Sequence, residues 1–277
     1  MTESQEELAV ADTDMGGNGQ STVVELSVDI EASAGTVWTM LTTPAGFSAM
    51  MQGQVTFETV PGSPFRAEFP GFGVVTSGEI VSFDADARRM SLTWGSELGP
   101  QTADLPAGST LVEFRVRATD AGCRVDLRHS GFPSAQLARE HDAGWRFHLG
   151  KLALNANRND LAAGLRRTLA GWFEAWNNPD ADARLATLRA CCAEDVGFQD
   201  EWAVARGVER LNLHITNCHR FMPGWKIEAT GDVRICRGEA MVGWRSEGPT
   251  GATEGHNHVR ATYDGTILRV AGFEADG

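Results

Sequence analysis

Apolar residues alternate with polar ones along most of the N-terminal half, and the period then changes. Val24, Leu26 and Val28 fall on one side of a strand that runs from Thr22 to Ile30. Phe65, Ala67 and Phe69 alternate in the same way, as do Met90, Leu92 and Trp94, then Val112, Phe114 and Val116, then Cys123, Val125, Leu127 and His129. Glycines and prolines punctuate these runs, as antiparallel hairpins require. Two helices interrupt the pattern. Ser33 is placed to cap a short one through Val37, Trp38 and Leu41 that ends before Pro44. Leu137, His141, Trp145, His148 and Leu152 recur at helical spacing and predict a long one. Strand, helix, meander and long helix imply a curved antiparallel sheet wrapped around the last helix, with room for a cavity between them.

The second half reverses the order. Leu161, Leu165, Leu169, Trp172, Phe173 and Trp176 predict a helix that breaks at Asn177-Asn-Pro-Asp180. Asp180 is placed to cap a second helix through Leu185 and Leu188, and Gly207 opens a third with Val208, Leu211, Ile215 and Cys218 on one face. Between them lies a short acidic strand, Asp195-Val-Gly-Phe-Gln-Asp200. Strands over Trp225–Arg234, Glu239–Arg245 and Thr253–Tyr263 follow, then the turn Asp264-Gly265 and a last strand over Ile267–Phe273. The expected architecture is α+β in two tandem domains: a helix-grip sheet around a long helix over 21–157, then a cone-shaped α+β barrel over 158–277. Residues 1–20 read as a disordered acidic tail.

Composition narrows the function classes. At 277 residues the chain can build two cores, and its formal charge of -13 opposes a nucleic-acid surface or attraction to an anionic membrane. No apolar run reaches the length of a membrane span, and the N-terminus lacks a signal-peptide pattern, so a cytoplasmic protein is expected. The five cysteines, Cys123, Cys191, Cys192, Cys218 and Cys236, are odd in number and lack Cys-x-x-Cys spacing, which predicts reduced thiols and no metal site.

Val37-Trp38, Leu92-Thr-Trp94, Leu127-Arg-His-Ser-Gly-Phe132 and Gly144-Trp145 with Leu149 and Leu152 resemble the SRPBCC superfamily of START-like folds. Within it they are closest to the branch named for activators of the heat-shock ATPase. Met50 and Met51 stand where members often carry a tryptophan. Ala175-Trp-Asn177 with Asp180 and Arg184, the Asp195–Asp200 strand, Gly207, and Asp264-Gly-Thr-Ile267 with Ala271-Gly-Phe273 resemble a SnoaL-like domain of the nuclear-transport-factor-two-like superfamily. That resemblance implies a pocket for a small molecule, in a group that includes polyketide cyclases, epoxide hydrolases and isomerases, and dimerisation through the open sheet.

The resemblance also places an acid shortly before the Asp-Gly turn, where this chain has Asn257. Asn orients a carbonyl or hydroxyl but does not shuttle protons near neutral pH. Asp200, Glu201, His214, His256 and His258 are the remaining candidates for proton transfer. By the strand period, either Asn257 or the pair His256 and His258 faces the pocket. Trp94, His129, Trp145, Trp172, Trp176, Trp202, Trp244 and Asn257 are the candidate ligand contacts. His129, His141 and His148 are also placed to face the first cavity, although the simpler reading gives them satisfied positions in the core. The functional expectation is binding of a small hydrophobic molecule without a cofactor, with or without acid–base chemistry in the second domain. Chaperone ATPase regulation is the third alternative, and it follows only from the first resemblance.

Overall fold

The computed structural model describes residues 22–275, so the tail expected over 1–20 lies outside it. Strand β1 (Val24–Ile30) leads into α1 (Ala34–Thr42) and α2 (Pro44–Met51). Ser33 caps α1 by accepting the Thr36 N–H, as its position predicts. Helix α1 ends before Pro44, as expected, but the sequence reading missed α2: Pro44 sits in the first turn of a new helix whose cap, Thr43, accepts the Gly46 N–H. Strands β2 (Gln54–Thr56), β3 (Pro64–Phe69), β4 (Val74–Asp84), β5 (Arg89–Trp94), β6 (Ser96–Leu98), β7 (Thr110–Thr119) and β8 (Gly122–Ser130) follow. They form a curved antiparallel sheet in the order β1-β8-β7-β5-β4-β3-β2, with β6 on β4. Its concave face buries Leu26, Phe65, Leu92, Val112, Phe114, Val125 and Leu127 against helix residues Trp145, Leu149 and Leu152. On the wet face, arginines answer acids across strands: Arg124 makes two 2.7 Å bonds to Asp29.

Helix α3 (Ala135–Asn177) runs without a break for 43 residues, about 65 Å at 1.5 Å per residue. The sequence reading expected two helices, with a junction near Asn157 and Asp160. Asn and Asp weaken helices by bonding to nearby backbone. Here both side chains are occupied elsewhere. Asn157 donates to the Glu31 carbonyl at 2.7 Å and accepts the Gly238 N–H at 3.0 Å. Asp160 accepts the Ser33 N–H at 2.6 Å and the Thr36 hydroxyl at 2.5 Å. The helix therefore passes straight from the first core into the second, where Leu161, Leu165, Leu169, Trp172 and Phe173 are buried. At Gly164 the helix backbone lies against the Asp264–Gly265 turn, and a Cβ there would stand 2.2 Å from the Asp264 carbonyl oxygen.

The remaining elements are α4 (Ala181–Cys191), β9 (Cys192–Gln199), β10 (Val204–Arg206), α5 (Val208–Phe221), β11 (Lys226–Cys236), β12 (Glu239–Gly248), β13 (Gly251–Ala261) and β14 (Ile267–Glu274). Asp180 caps α4, bonding the Asp182 and Ala183 N–H groups. The second sheet runs β10-β9-β14-β13-β12-β11, antiparallel except where β14 meets β9. Irregular registers at Thr230/Arg234 and Arg260/Ala261 bend it, yet β10 and β11 remain separate edges. The cone is open and does not close into a barrel. Among the described residues, no helix is long and apolar enough to cross a membrane.

Candidate functional site

The concave side of the second sheet, facing α3 and α5, encloses a cavity of about 640 Å³. Trp172 and Trp176 of α3, Phe198 of β9, and Trp225, Ile227 and Trp244 from the β11–β12 side wall it. Trp172 and Trp176 lie 5.9 Å apart between ring centres, and each meets Phe198. Trp202 stands at the rim, 82% exposed, near the exposed Phe221 and Met222. An apolar space of this size suits a small molecule.

Among the polar groups that line this cavity, Asp200, His214, Cys218 and Asn257 lie close together. Asp200 follows β9. One carboxylate oxygen accepts the N–H groups of Trp202 and Ala203 at 2.9 and 2.7 Å, which fixes the turn into β10. Its other oxygen faces His214 of α5, Oδ2 to Nε2 3.7 Å. At that distance the contact is an ion pair, longer than a hydrogen bond. Cys218, one helical turn beyond, places Sγ 3.7 Å from the same nitrogen. Asn257 of β13 is 6% exposed, lines the cavity, and has no protein hydrogen-bond partner for its amide among the described residues. Gly272 of β14 lets these groups approach one another: a Cβ there would lie 3.3 Å from Asn257 Oδ1 and 3.5 Å from Asp200 Cβ.

The charges follow from this packing. The Asp200 carboxylate, with Cys218, raises the His214 imidazole to about 9, against burial. Burial pushes Asp200 up, but His214 and the two N–H groups outweigh it and hold the carboxyl below its ordinary value. Near neutral pH the pair is carboxylate and imidazolium. Helix α5 is anchored by Arg184, 0% exposed, which donates to Asn212 Oδ1 at 2.6 Å, to Thr216 Oγ1 at 2.5 Å and to the Asn178 carbonyl at 2.7 Å. Those partners bracket His214 on the helix, so Arg184 sets its height in the cavity. The Trp176 indole N–H and His219 Nε2 are buried without a partner among the described residues, and both residues line the cavity.

The structure divides the sequence candidates. Asp200, His214, Trp172, Trp176, Trp202, Trp244 and Asn257 meet around one space. His256 and His258 do not. Asn257 and Val259 point inward on β13, so the strand period turns both histidines to the opposite face, where His258 pairs with Glu239 at 3.1 Å. Their expected catalytic role is corrected accordingly. Sequence reasoning missed Phe198 and Trp225 as walls and Cys218 as a neighbour of His214. The i, i+4 spacing of His214 and Cys218 was the available signal.

A second cavity, about 230 Å³, lies between the first sheet and α3, lined in part by Met51, Trp94, His141, Trp145 and His148. The expectations for Trp94 and Trp145 as wall residues agree with this. His129 does not line the cavity. It is 0% exposed, and both ring nitrogens are engaged: Nδ1 accepts the Trp145 indole N–H at 2.9 Å, and Nε2 meets Thr110 Oγ1 at 2.8 Å. Thr110 spends its own proton on the Trp94 carbonyl at 2.7 Å, so His129 Nε2 carries the N–H and the ring is neutral. Burial, with His141 nearby, pushes it down to about 3. Burial also lowers His141 and His148, whose Nδ1 atoms face the Leu137 and Met50 carbonyls at 2.9 and 3.3 Å.

Residues 31–156 match the model of the family described as Activator of Hsp90 ATPase homolog 1-like protein. No curated protein matches the chain. Among solved structures, a putative isomerase of the SnoaL-like family from Agrobacterium tumefaciens is similar at 21% identity, over 41% of this chain and 98% of its own, with a TM-score of 0.38. Protein MLL2253 from Mesorhizobium loti is similar at 21% identity over 47% and 93%, TM-score 0.42. A dimer from Colwellia psychrerythraea, solved in solution, is similar at 16% identity over 48% and 94%, TM-score 0.40.

Proposed function

We propose that the cavity of the second sheet binds a small, largely apolar molecule carrying at least one oxygen, and that His214 serves there as a proton donor. The observation that carries this reading is the Trp176 indole N–H, buried without a partner in the cavity wall: such a group costs about 1–3 kcal/mol, and a ligand oxygen would remove that cost. The Asn257 amide, in the same wall, can meet the same oxygen or a hydroxyl. Aromatic walls supply the remaining affinity.

An imidazolium held at about 9 is protonated at neutral pH and can donate to a carbonyl oxygen as charge develops on it. Asp200 keeps the ring charged and oriented. This is cofactor-independent chemistry of the isomerase or cyclase kind. Water takes the proton from the carbon next to the carbonyl, and the C–H pair becomes the C=C bond as His214 protonates the oxygen. The enol then returns that proton to the ring as carbon is reprotonated from water. A binding role without turnover is the second reading. It is favoured by Asp200 itself, whose lowered pKa and backbone bonds make it a weak base. The first cavity is proposed as a smaller apolar site, and the exposed face of the second sheet as a dimer contact in a cytoplasmic protein.

The test uses 2-tetralone in deuterium oxide. Tryptophan quenching reports binding, and NMR reports deuterium at the carbon next to the carbonyl. Binding with exchange that His214→Gln slows about a hundredfold supports the proton-donor role. Binding with exchange equal in both proteins leaves the binding reading alone, and no quenching overturns both.

A further inference from the structure

Cys218 is the one cysteine that shares the cavity with the charged pair. Cys123, Cys191 and Cys192 are buried in the cores, and Cys236 is exposed on β11. Cys218 Sγ lies 3.7 Å from His214 Nε2, which is itself 3.7 Å from Asp200. Sulfur and carboxylate thus both face one imidazole nitrogen, and Gly272 brings Asn257 close to Asp200. The Trp176 indole N–H, buried without a partner among the described residues, independently marks the same space as a ligand site. From this geometry we infer that the cavity captures an apolar α,β-unsaturated carbonyl compound as a covalent thioether on Cys218. This rests on the ligand-binding role assigned above and adds the class of ligand and the atom that takes it.

The chemistry balances without an oxidant or reductant. The thiol proton leaves to water, giving the thiolate, the nucleophilic form, 3.7 Å from the His214 ring. The sulfur electron pair forms the bond to the β-carbon, the C=C pair moves toward the carbonyl oxygen, and the enolate is protonated at the α-carbon from His214. Water returns the proton to the ring. One S–H and one C=C are consumed; one C–S and one C–H are made. Asn257 or the Trp176 N–H would hold the carbonyl oxygen while charge gathers on it. The other titratable groups lining the cavity are Glu201, His219, Lys226 and Glu274.

The probe is benzylideneacetone, with its saturated analogue 4-phenylbutan-2-one as the non-reactive control, on the full chain. Peptide mass spectrometry reads the adduct at each cysteine with time, and Cys236 serves as the internal reference thiol. The expected result is labelling of Cys218 about tenfold faster than Cys236 at pH 7, with the ratio lost in His214→Gln. In the wild-type protein the same ratio should fall as pH rises through about 9, where His214 loses its charge, which needs no folded variant. If the saturated ketone quenches tryptophan fluorescence but Cys218 reacts no faster than Cys236, the covalent inference is overturned while binding stands. If neither compound binds, both fail.

Discussion

Asp200 Oδ2 and His214 Nε2 stand 3.7 Å apart in a wall otherwise built from indole and phenyl rings. His214 gains its partner on folding, so its raised value contributes stability that is complete below the ordinary imidazole value of about 6.5 and is lost as pH rises through about 9. Asp200 is lowered, so its share is present above the ordinary carboxyl value and is lost as pH falls through the lowered one. The pair is therefore intact from mildly acidic pH to about 9. In Asp200→Asn the His214 ring proton seen by NMR should titrate near 6.5 rather than 9, and the protein should lose at most about 3 kcal/mol at pH 7. An unchanged midpoint would show that Asp200 does not hold the charge on His214.

His129 makes the opposite prediction. It is neutral in the folded protein down to about 3, but an unfolded histidine takes up a proton below about 6.5. Between those values the unfolded state binds more protons, so stability falls as the solution becomes acidic. Urea unfolding should show a loss of roughly 2 kcal/mol between pH 7 and pH 5 from this residue, with His141 and His148 adding to it in the same direction. His129→Leu removes this contribution but leaves the Trp145 N–H unpaired, at about 1–3 kcal/mol at every pH. Ligand binding in the cavity of the second sheet should not change. Equal acid sensitivity in the variant would sink the assignment.

Periodicity shows which residues belong together but not what a side chain bonds across the fold. The alternation in β13 was legible, and it left two opposite choices for Asn257 and the flanking histidines. Only the inward burial of Gly255, Val259 and Ala261 decided between them. The histidines at 141 and 148 were read on the helix face that meets the first cavity, and they lie there. His129 sits on the same sheet face, yet Trp145 and Thr110 close over it, and that is a matter of rotamers. The separation into two helices near Asn157 and Asp160 followed from reading the Leu137–Leu152 and Leu161–Trp176 stripes apart. It failed because the partners of those two polar residues, Glu31, Ser33, Thr36 and Gly238, are distant in sequence.

Gly272 separates binding from stability. A Cβ at this position would sit 3.3 Å from Asn257 Oδ1 and 3.5 Å from Asp200 Cβ, a tight but non-clashing fit. Gly272→Ala should leave the melting temperature within a few degrees of wild type, since about 1 kcal/mol shifts it by only 2–4 °C in a chain of this size. It should also fill the space between the two polar groups and weaken 4-phenylbutan-2-one binding about tenfold, measured by tryptophan quenching. His256→Ala and His258→Ala, on the far face, should leave that affinity unchanged. Weaker binding in the histidine variants, with none in Gly272→Ala, would place the ligand elsewhere.

Asn157 holds both halves of the molecule with one amide. Its Nδ2 donates to the Glu31 carbonyl beside the first sheet, and its Oδ1 accepts the Gly238 N–H from the hairpin of the second. The residue is 4% exposed and its bond from Gly238 is buried, while the bond to Glu31 is only part-buried. Asn157→Ala leaves the Gly238 N–H buried and unpaired and removes the bond to the Glu31 carbonyl, a loss of about 1–3 kcal/mol. Asn157→Leu fills more of the volume and should lose a similar amount, because the defect is polar rather than a void. The joint also keeps the helix continuous, so scanning calorimetry of the wild-type chain should show one cooperative transition and the variants two, with the halves melting apart. A single transition in both variants, shifted by less than a degree, would show that α3 and its apolar stripes couple the halves without the amide.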